Sequence, residues 1–168
     1  MAMQKIKIGI SACLLGENLR YDGGNRLQAQ LIGELGEAVR WLPVCPEVEC
    51  GLPVPREEMS LTGSPDGPRL VSIYSGEDHT VRMEGWARRR LGELAGEGLG
   101  GFVFKSGSPS CGLAVSLAAE GAGATAGIFS RLFQKAFPEL PVEEETGLRD
   151  ADAIATFVRR VSGRGREV

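Results

Sequence analysis

Three short apolar runs in this chain each stop at a polar loop, and each loop carries one cysteine. Ile6-Lys7-Ile8-Gly9-Ile10 runs into Ser11-Ala12-Cys13-Leu14-Leu15-Gly16, and the run from Val39 to Val44 ends at Cys45-Pro46-Glu47-Val48-Glu49-Cys50-Gly51. Phe102-Val103-Phe104 leads into Lys105-Ser106-Gly107-Ser108-Pro109-Ser110-Cys111-Gly112. A buried strand that stops in a loop punctuated by Pro or Gly is how α/β enzymes build sites, at the C-terminal ends of parallel strands. The pattern therefore favours folds in which these strands gather their loops at one edge, where the three thiols are expected to meet.

Between the runs the chain alternates with helix signals. Leu27, Leu31, Ile32 and Leu35 repeat at helical spacing, with Gly36 as a C-terminal stop. Met59-Ser60-Leu61 and Leu70 to Tyr74 flank the turn Gly63 to Pro68, which reads as a hairpin or excursion. A long helix capped by Asp78 or Thr80 turns Met83, Trp86, Ala87, Leu91 and Leu94 inward. Another spans about Thr125 to Phe137, with Ile128, Leu132, Phe133 and Phe137 inward. The last starts near Asp150 or Asp152, carries Ile154, Phe157, Val158 and Val161 on one face, and stops at Gly163. Strand–helix alternation of this kind predicts a Rossmann-like three-layer α/β sandwich with a mainly parallel sheet, residues 1–168 forming one domain.

Composition removes several classes. Hydrophobic content of 42% and charged content of 24% are globular values. A net charge of −3 argues against nucleic acid as the main partner. Met1-Ala2-Met3-Gln4-Lys5 lacks the apolar core of a signal peptide, and no run is long enough to span a membrane. The expectation is a cytoplasmic chain, where the four cysteines stay reduced and do not build a disulfide framework. No feature sets an oligomeric state.

Cys13, Cys45 and Cys111 have no CxxC spacing, and on spacing alone they could be three buried small residues. Their positions at strand ends raise the metal reading. With Cys50 they could form a Cys₄ zinc site of a binding or regulatory module. As a set of three they could hold an iron–sulfur cluster with one iron left free. A metal-free redox or persulfide enzyme using Cys45 or Cys50 is the third possibility. Glu47 is either a solvated carboxylate or a general base beside a metal, and solvation is the better reading for Glu49. Lys105, Ser106, Ser108 and Ser110 supply a cation and hydroxyls, with turn chemistry the plainer role for Ser110 beside Pro109. Arg20-Tyr21-Asp22-Gly23-Gly24 is an ordinary turn or a contact for a planar ligand. His79, the only histidine, reads as solvated, which leaves no easy Cys–His or Ser–His–Asp catalysis.

These stretches resemble a bacterial family long catalogued as a domain of unknown function (DUF523) and associated with thiouracil desulfidase activity. The matching pieces are Ser11 to Gly16, Arg20 to Gly24, Cys45 to Val48, Gly51-Leu52-Pro53, Pro55-Arg56, Gly76-Glu77-Asp78, Lys105-Ser106 and Ser108 to Gly112. The resemblance implies that Cys13, Cys45 and Cys111 ligate a [4Fe–4S] cluster whose fourth iron is free of protein. It further implies that this iron polarises the thiocarbonyl of a small thiolated pyrimidine, that Glu47 activates water and that Ser108 orients the base and assists proton transfer. Ser11, Arg20, Tyr21, Asp22, Lys105 and Ser106 are the expected substrate contacts. The implied reaction is hydrolysis of thiouracil to uracil and sulfide with no net redox change. One departure is Cys50, where relatives usually have another residue. Some relatives carry an added C-terminal domain linked to thiolated tRNA; without it, a free base is the expected substrate.

Overall fold

The computed structural model describes residues 4–163. The first three residues, part of the segment read above as lacking a signal-peptide core, lie outside them. Alternation in the first apolar run builds β1, Ile6–Ser11, which puts Ile8 and Ile10 on one face and Gly9 on the other. A 3-10 turn over Ala12–Leu15 follows, closed by Gly16, and then α1, Ala29–Leu35. Leu27 stays outside that helix and is exposed. β2 is Val39–Val44, and α2 is the single turn Pro46–Glu49, started by its proline. β3, Met59–Ser64, and β4, Gly67–Ser72, form the expected hairpin.

α3, Thr80–Ala95, buries the stripe predicted for it. Its start is tied down by the Asp78 carboxylate, which accepts the Thr80 N–H at 2.9 Å. β5 is Gly101–Phe104. The Ala/Gly-rich segment after it holds a two-residue hairpin, β6 Val115–Ser116 and β7 Ala124–Thr125. α4 is Ile128–Ala136, β8 is Val142–Glu144 and α5 is Ala151–Ser162, the last capped by the Asp150 carboxylate on the Ala153 N–H.

The central sheet has the order β2-β1-β5-β8, every neighbouring pair parallel. Pro43 sits on the edge strand β2, where a missing donor is tolerated. One face packs against α3, α4 and the hairpin through Phe102, Phe104, Phe129 and Phe133. The other packs against α1 and α5 through Ile8, Ile10, Val103 and Phe157. Phe102 stacks on Phe104 with centroids 4.2 Å apart and meets Phe133 edge-on. Burying a Phe of this kind contributes about 1.5–3 kcal/mol. A Cβ at Gly9 would lie 2.2 Å from Cδ2 of Phe102, so the glycine is what lets that ring lie across β1. Among the described residues no helix is long and apolar enough to cross a membrane.

Because all four strands run the same way, their C-terminal ends share one edge. Cys13, Cys45, the Lys105–Cys111 loop and Glu145 all lie just beyond those ends.

Candidate active site

A cavity of about 400 Å³ opens at that edge. Cys13, Cys45 and Cys111 line it together; Cys50 does not. The Cys50 thiol instead donates to the Glu47 carbonyl oxygen at 3.2 Å, and its side chain packs against the aromatic core. All four thiols are free, with Cys111 buried and the others half-buried. Burial pushes the Cys13 thiol up to about 11; Cys45 adds to the rise, and Arg20 and Lys105 oppose it. Burial raises Cys45 as well, and it raises Cys111 furthest, although a hydrogen bond to Ser11 works against that last shift. Thiols this reluctant to ionise need a strong electrophile nearby to become thiolates. Among the described residues no three or more His, Cys, Asp or Glu side chains group tightly enough to hold a single metal ion.

Glu47 is buried beside Cys45 and is held from one side by Arg56. Arg56 Nε lies 2.7 Å from Oε2 of Glu47, and its Nη2 meets the same oxygen. The guanidinium also donates to the Leu19 and Pro53 carbonyls, and the Arg56 N–H donates to the Tyr21 carbonyl. One arginine thus joins the β1 loop, the β2 loop and the proline-rich segment. Arg56 carries no periodic or motif signal of its own; only its place in the Pro55-Arg56 piece marked it.

The two serines of this loop meet different partners. Ser108 does the turn chemistry: its Oγ accepts the N–H of Ser110 at 3.3 Å and of Cys111 at 3.1 Å. Ser110 is the serine that reaches the carboxylate, with Oγ 3.2 Å from Oε1 of Glu47 and 3.0 Å from Oγ of Ser108. Both serines line the cavity.

Lys105 and Ser106 also line the cavity, and they are fixed by a residue outside it. Glu145, buried just after β8, accepts the Ser106 N–H at 2.7 Å and O–H at 2.6 Å and lies 3.0 Å from the Lys105 ammonium. Ser11 accepts the Lys105 N–H at 2.9 Å, which ties the end of β1 to the end of β5. Glu145 went unread in the sequence because the strand that delivers it is only three residues long, two of them acidic.

Arg20 and Tyr21 line the mouth, with the guanidinium 5.6 Å from the Tyr21 ring centroid. Arg20 Nε is buried and meets no hydrogen-bond acceptor among the described residues; the nearest carboxylate oxygen, on Asp22, is 3.7 Å away. Asp22 does not line the cavity, and its Oδ1 closes the turn by accepting the Gly24 N–H at 2.9 Å. Glu49 is exposed but accepts the Cys45 N–H at 2.8 Å. His79 corrects the expectation of a solvated ring: it is buried, with Nε2 2.9 Å from Ser72 Oγ, because the chain folds it under the start of α3.

Among curated proteins none matches the chain. A family model described as 2-thiouracil desulfurase matches residues 8–145, a span that holds the three cavity cysteines, Glu47, Arg56, both serines and Glu145. A solved structure described as the [4Fe–4S]-dependent thiouracil desulfidase TudS is 31% identical and covers 90% of this chain and 99% of its own. Its TM-score of 0.68 shows the same three-layer α/β architecture. With the family model spanning most of its length, the chain belongs to the 2-thiouracil desulfurase family.

Proposed function

We propose that this desulfurating enzyme hydrolyses a small thiolated pyrimidine to the oxygen form and sulfide, with Cys13, Cys45 and Cys111 holding a [4Fe–4S] cluster. The observation that carries the reading is three thiols, one buried and two half-buried, from three different strand ends around the cavity that Glu47 also lines. An all-thiol donor set suits an iron–sulfur cluster. Cys13, Cys45 and Cys111 would hold such a cluster from three sides of the cavity, which does not require their sulfurs to converge on one point. The turn of Cys50 away from the cavity supports a set of three and speaks against a Cys₄ zinc site. When bound, such a cluster supplies a Lewis-acid iron, free of protein, for the thiocarbonyl sulfur.

The chain's own groups do the rest. Arg20 offers its unpaired buried donor to the carbonyl oxygen of the base, and the Tyr21 ring beside it offers an apolar face. Lys105 and Ser106, fixed by Glu145, line the opposite loop and hold the ring from that side. Glu47 accepts a proton from the attacking water and returns it to the departing sulfur, so the electron count is unchanged and no reductant is consumed. Asp22 shapes the turn that carries Arg20 and Tyr21. The protein works as one domain in the cytoplasm, where its thiols remain reduced.

The test is sulfide release from 2-thiouracil by anaerobically loaded enzyme, with iron and acid-labile sulfide counted per chain. A brown protein with about four irons per chain and stoichiometric uracil formation is expected. A colourless active protein, or one carrying a single zinc, overturns the cofactor. Faster turnover of thiolated tRNA than of the free base, measured side by side, overturns the substrate class.

A further inference from the structure

Away from the cysteines, a second groove of about 270 Å³ lies where the β3–β4 hairpin, α3 and α4 meet, and it shares no lining residue with the active cavity. Spacing on α4 builds one wall. Ile128, Arg131, Leu132 and Lys135 fall three and four residues apart and share a face, while Phe129 and Phe133 enter the core. The floor is apolar: Ile128 and Pro68 are buried and Leu132 is half-buried. The rim is cationic. Arg69 comes from the hairpin, Arg88 from α3, and Arg131 and Lys135 from α4.

Two carboxylates, Asp66 and Glu84, also line the groove, so cations outnumber them two to one in a chain whose net charge is −3. Glu84 stands 3.7 Å from Arg88, an exposed pair that holds its charge loosely. Asp78, outside the groove, accepts from Arg69 Nε at 2.9 Å and lies 2.8 Å from its Nη2, which fixes the guanidinium plane by one edge. Arg131 donates to the Asp66 carbonyl oxygen at 2.7 Å, so it too is pinned without being neutralised. Among the described residues neither Arg131 nor Lys135 forms an ion pair. Like charges one helical turn apart weaken a helix, and an anion between them removes that cost. The dipole of α4 accounts for Lys135 in its last turn, but not for the three arginines that share the rim.

We propose that this groove binds a small organic phosphate, with the phosphate on the cationic rim and a ring on the apolar floor. The cations approach from three elements, which suits the three terminal oxygens of a phosphate monoester; a carboxylate offers two in one plane. Arginine adds a rigid fork that pairs phosphate oxygens two at a time. A nucleic-acid backbone asks for a continuous basic track, and Asp66 and Glu84 interrupt this one. Binding here is independent of the reaction at the cysteines and needs no turnover to be seen.

The test is calorimetric titration of the anaerobically loaded enzyme, at low salt, with phenyl phosphate, inorganic phosphate, benzoate, phenol and a short RNA. One phenyl phosphate per chain is expected. Inorganic phosphate binds about tenfold more weakly because it leaves the floor uncovered. Benzoate is weaker than phenyl phosphate by a similar factor, and phenol, with no charge, gives no saturable heat. Lys135→Glu lowers the affinity for phenyl phosphate by about tenfold or more. Lys135 is exposed, so this variant keeps the measurement sound if Arg131→Gln, expected to have the same effect, folds poorly. Arg20→Met, at the mouth of the active cavity, leaves the affinity unchanged. No saturable binding of phenyl phosphate overturns the site, as does wild-type affinity in Lys135→Glu. Binding lost in Arg20→Met puts the phosphate in the active cavity and also overturns it. Benzoate bound as tightly as phenyl phosphate overturns the phosphate class, and inorganic phosphate bound as tightly overturns the ring on the floor. RNA bound in place of phenyl phosphate makes the groove a nucleic-acid surface and overturns the small ligand.

Discussion

Arg56 and Glu47 form a buried ion pair in which two guanidinium nitrogens share one carboxylate oxygen, with side chains only 6% and 12% exposed. Removing one partner of such a pair strands the other charge. Arg56→Met is expected to cost about 3–5 kcal/mol in denaturant unfolding. The double variant Glu47→Gln with Arg56→Met recovers most of that loss, since no buried charge remains. Equal stabilities for the single and double variants would deny the pairing.

Cysteine replacements separate anchors from neighbours. Cys13→Ser, Cys45→Ser and Cys111→Ser each lower bound iron and abolish sulfide release together, because each removes one of three thiolates around the cavity. Cys50→Ser keeps its iron and near-normal turnover, because its thiol is engaged with the Glu47 carbonyl. Iron lost from Cys50→Ser would mean that protein occupies the fourth position.

Glu145 gives the fold a defined acid sensitivity. Burial alone would raise its carboxyl, but the hydroxyl and amide of Ser106 and the Lys105 ammonium outweigh burial and hold it below its ordinary 4.5. The folded state therefore binds this proton less readily than the unfolded chain does. The resulting stability is present above about pH 4.5 and is lost as the pH falls through the lowered value. Urea unfolding of wild type and Glu145→Gln across this range should differ most at neutral pH and converge in acid. A pH-independent gap would assign the difference to something other than this carboxylate.

Gly127 tests how tightly the Ser108–Cys111 loop is seated. A Cβ there would lie 2.6 Å from the carbonyl carbon of Ser110 and 2.8 Å from the carbonyl oxygen of Pro109, both of them backbone atoms that cannot swing aside. Gly127→Ala should cost about 1–3 kcal/mol and displace the loop. The check is a lowered melting temperature together with weaker iron retention; an unchanged Tm would show that the loop yields freely.

The parts of the fold that could be read from sequence are those with enough residues to carry a period. β1 alternates over five residues, β2 ends at its proline-marked loop, and the buried stripe of α3 recurs through five positions. From these came the parallel sheet and the meeting of Cys13, Cys45 and Cys111. β8 was not legible, because Val142-Glu143-Glu144 has neither alternation nor an apolar run and is held by pairing with Phe102–Phe104. Glu145 was lost with it. Arg56 and Ser110 were hidden for another reason: their partners are nine and 63 residues away, so nothing local distinguishes a clamp from a loop arginine or a serine that reaches a distant carboxylate from a turn serine. His79 was misread because exposure at the start of a helix depends on what folds over it.

The cavity thiols follow β1, β2 and β5, and β1 lies between the other two in the sheet. Cys13 and Cys45 come from adjoining strands, while Cys111 follows a strand that joins β1 with Ile8 opposite Gly101. A ribosome must therefore deliver well over half of the polypeptide before the third sulfur can take its place. Any cofactor that needs all three can be loaded only once β1 has paired with both β2 and β5.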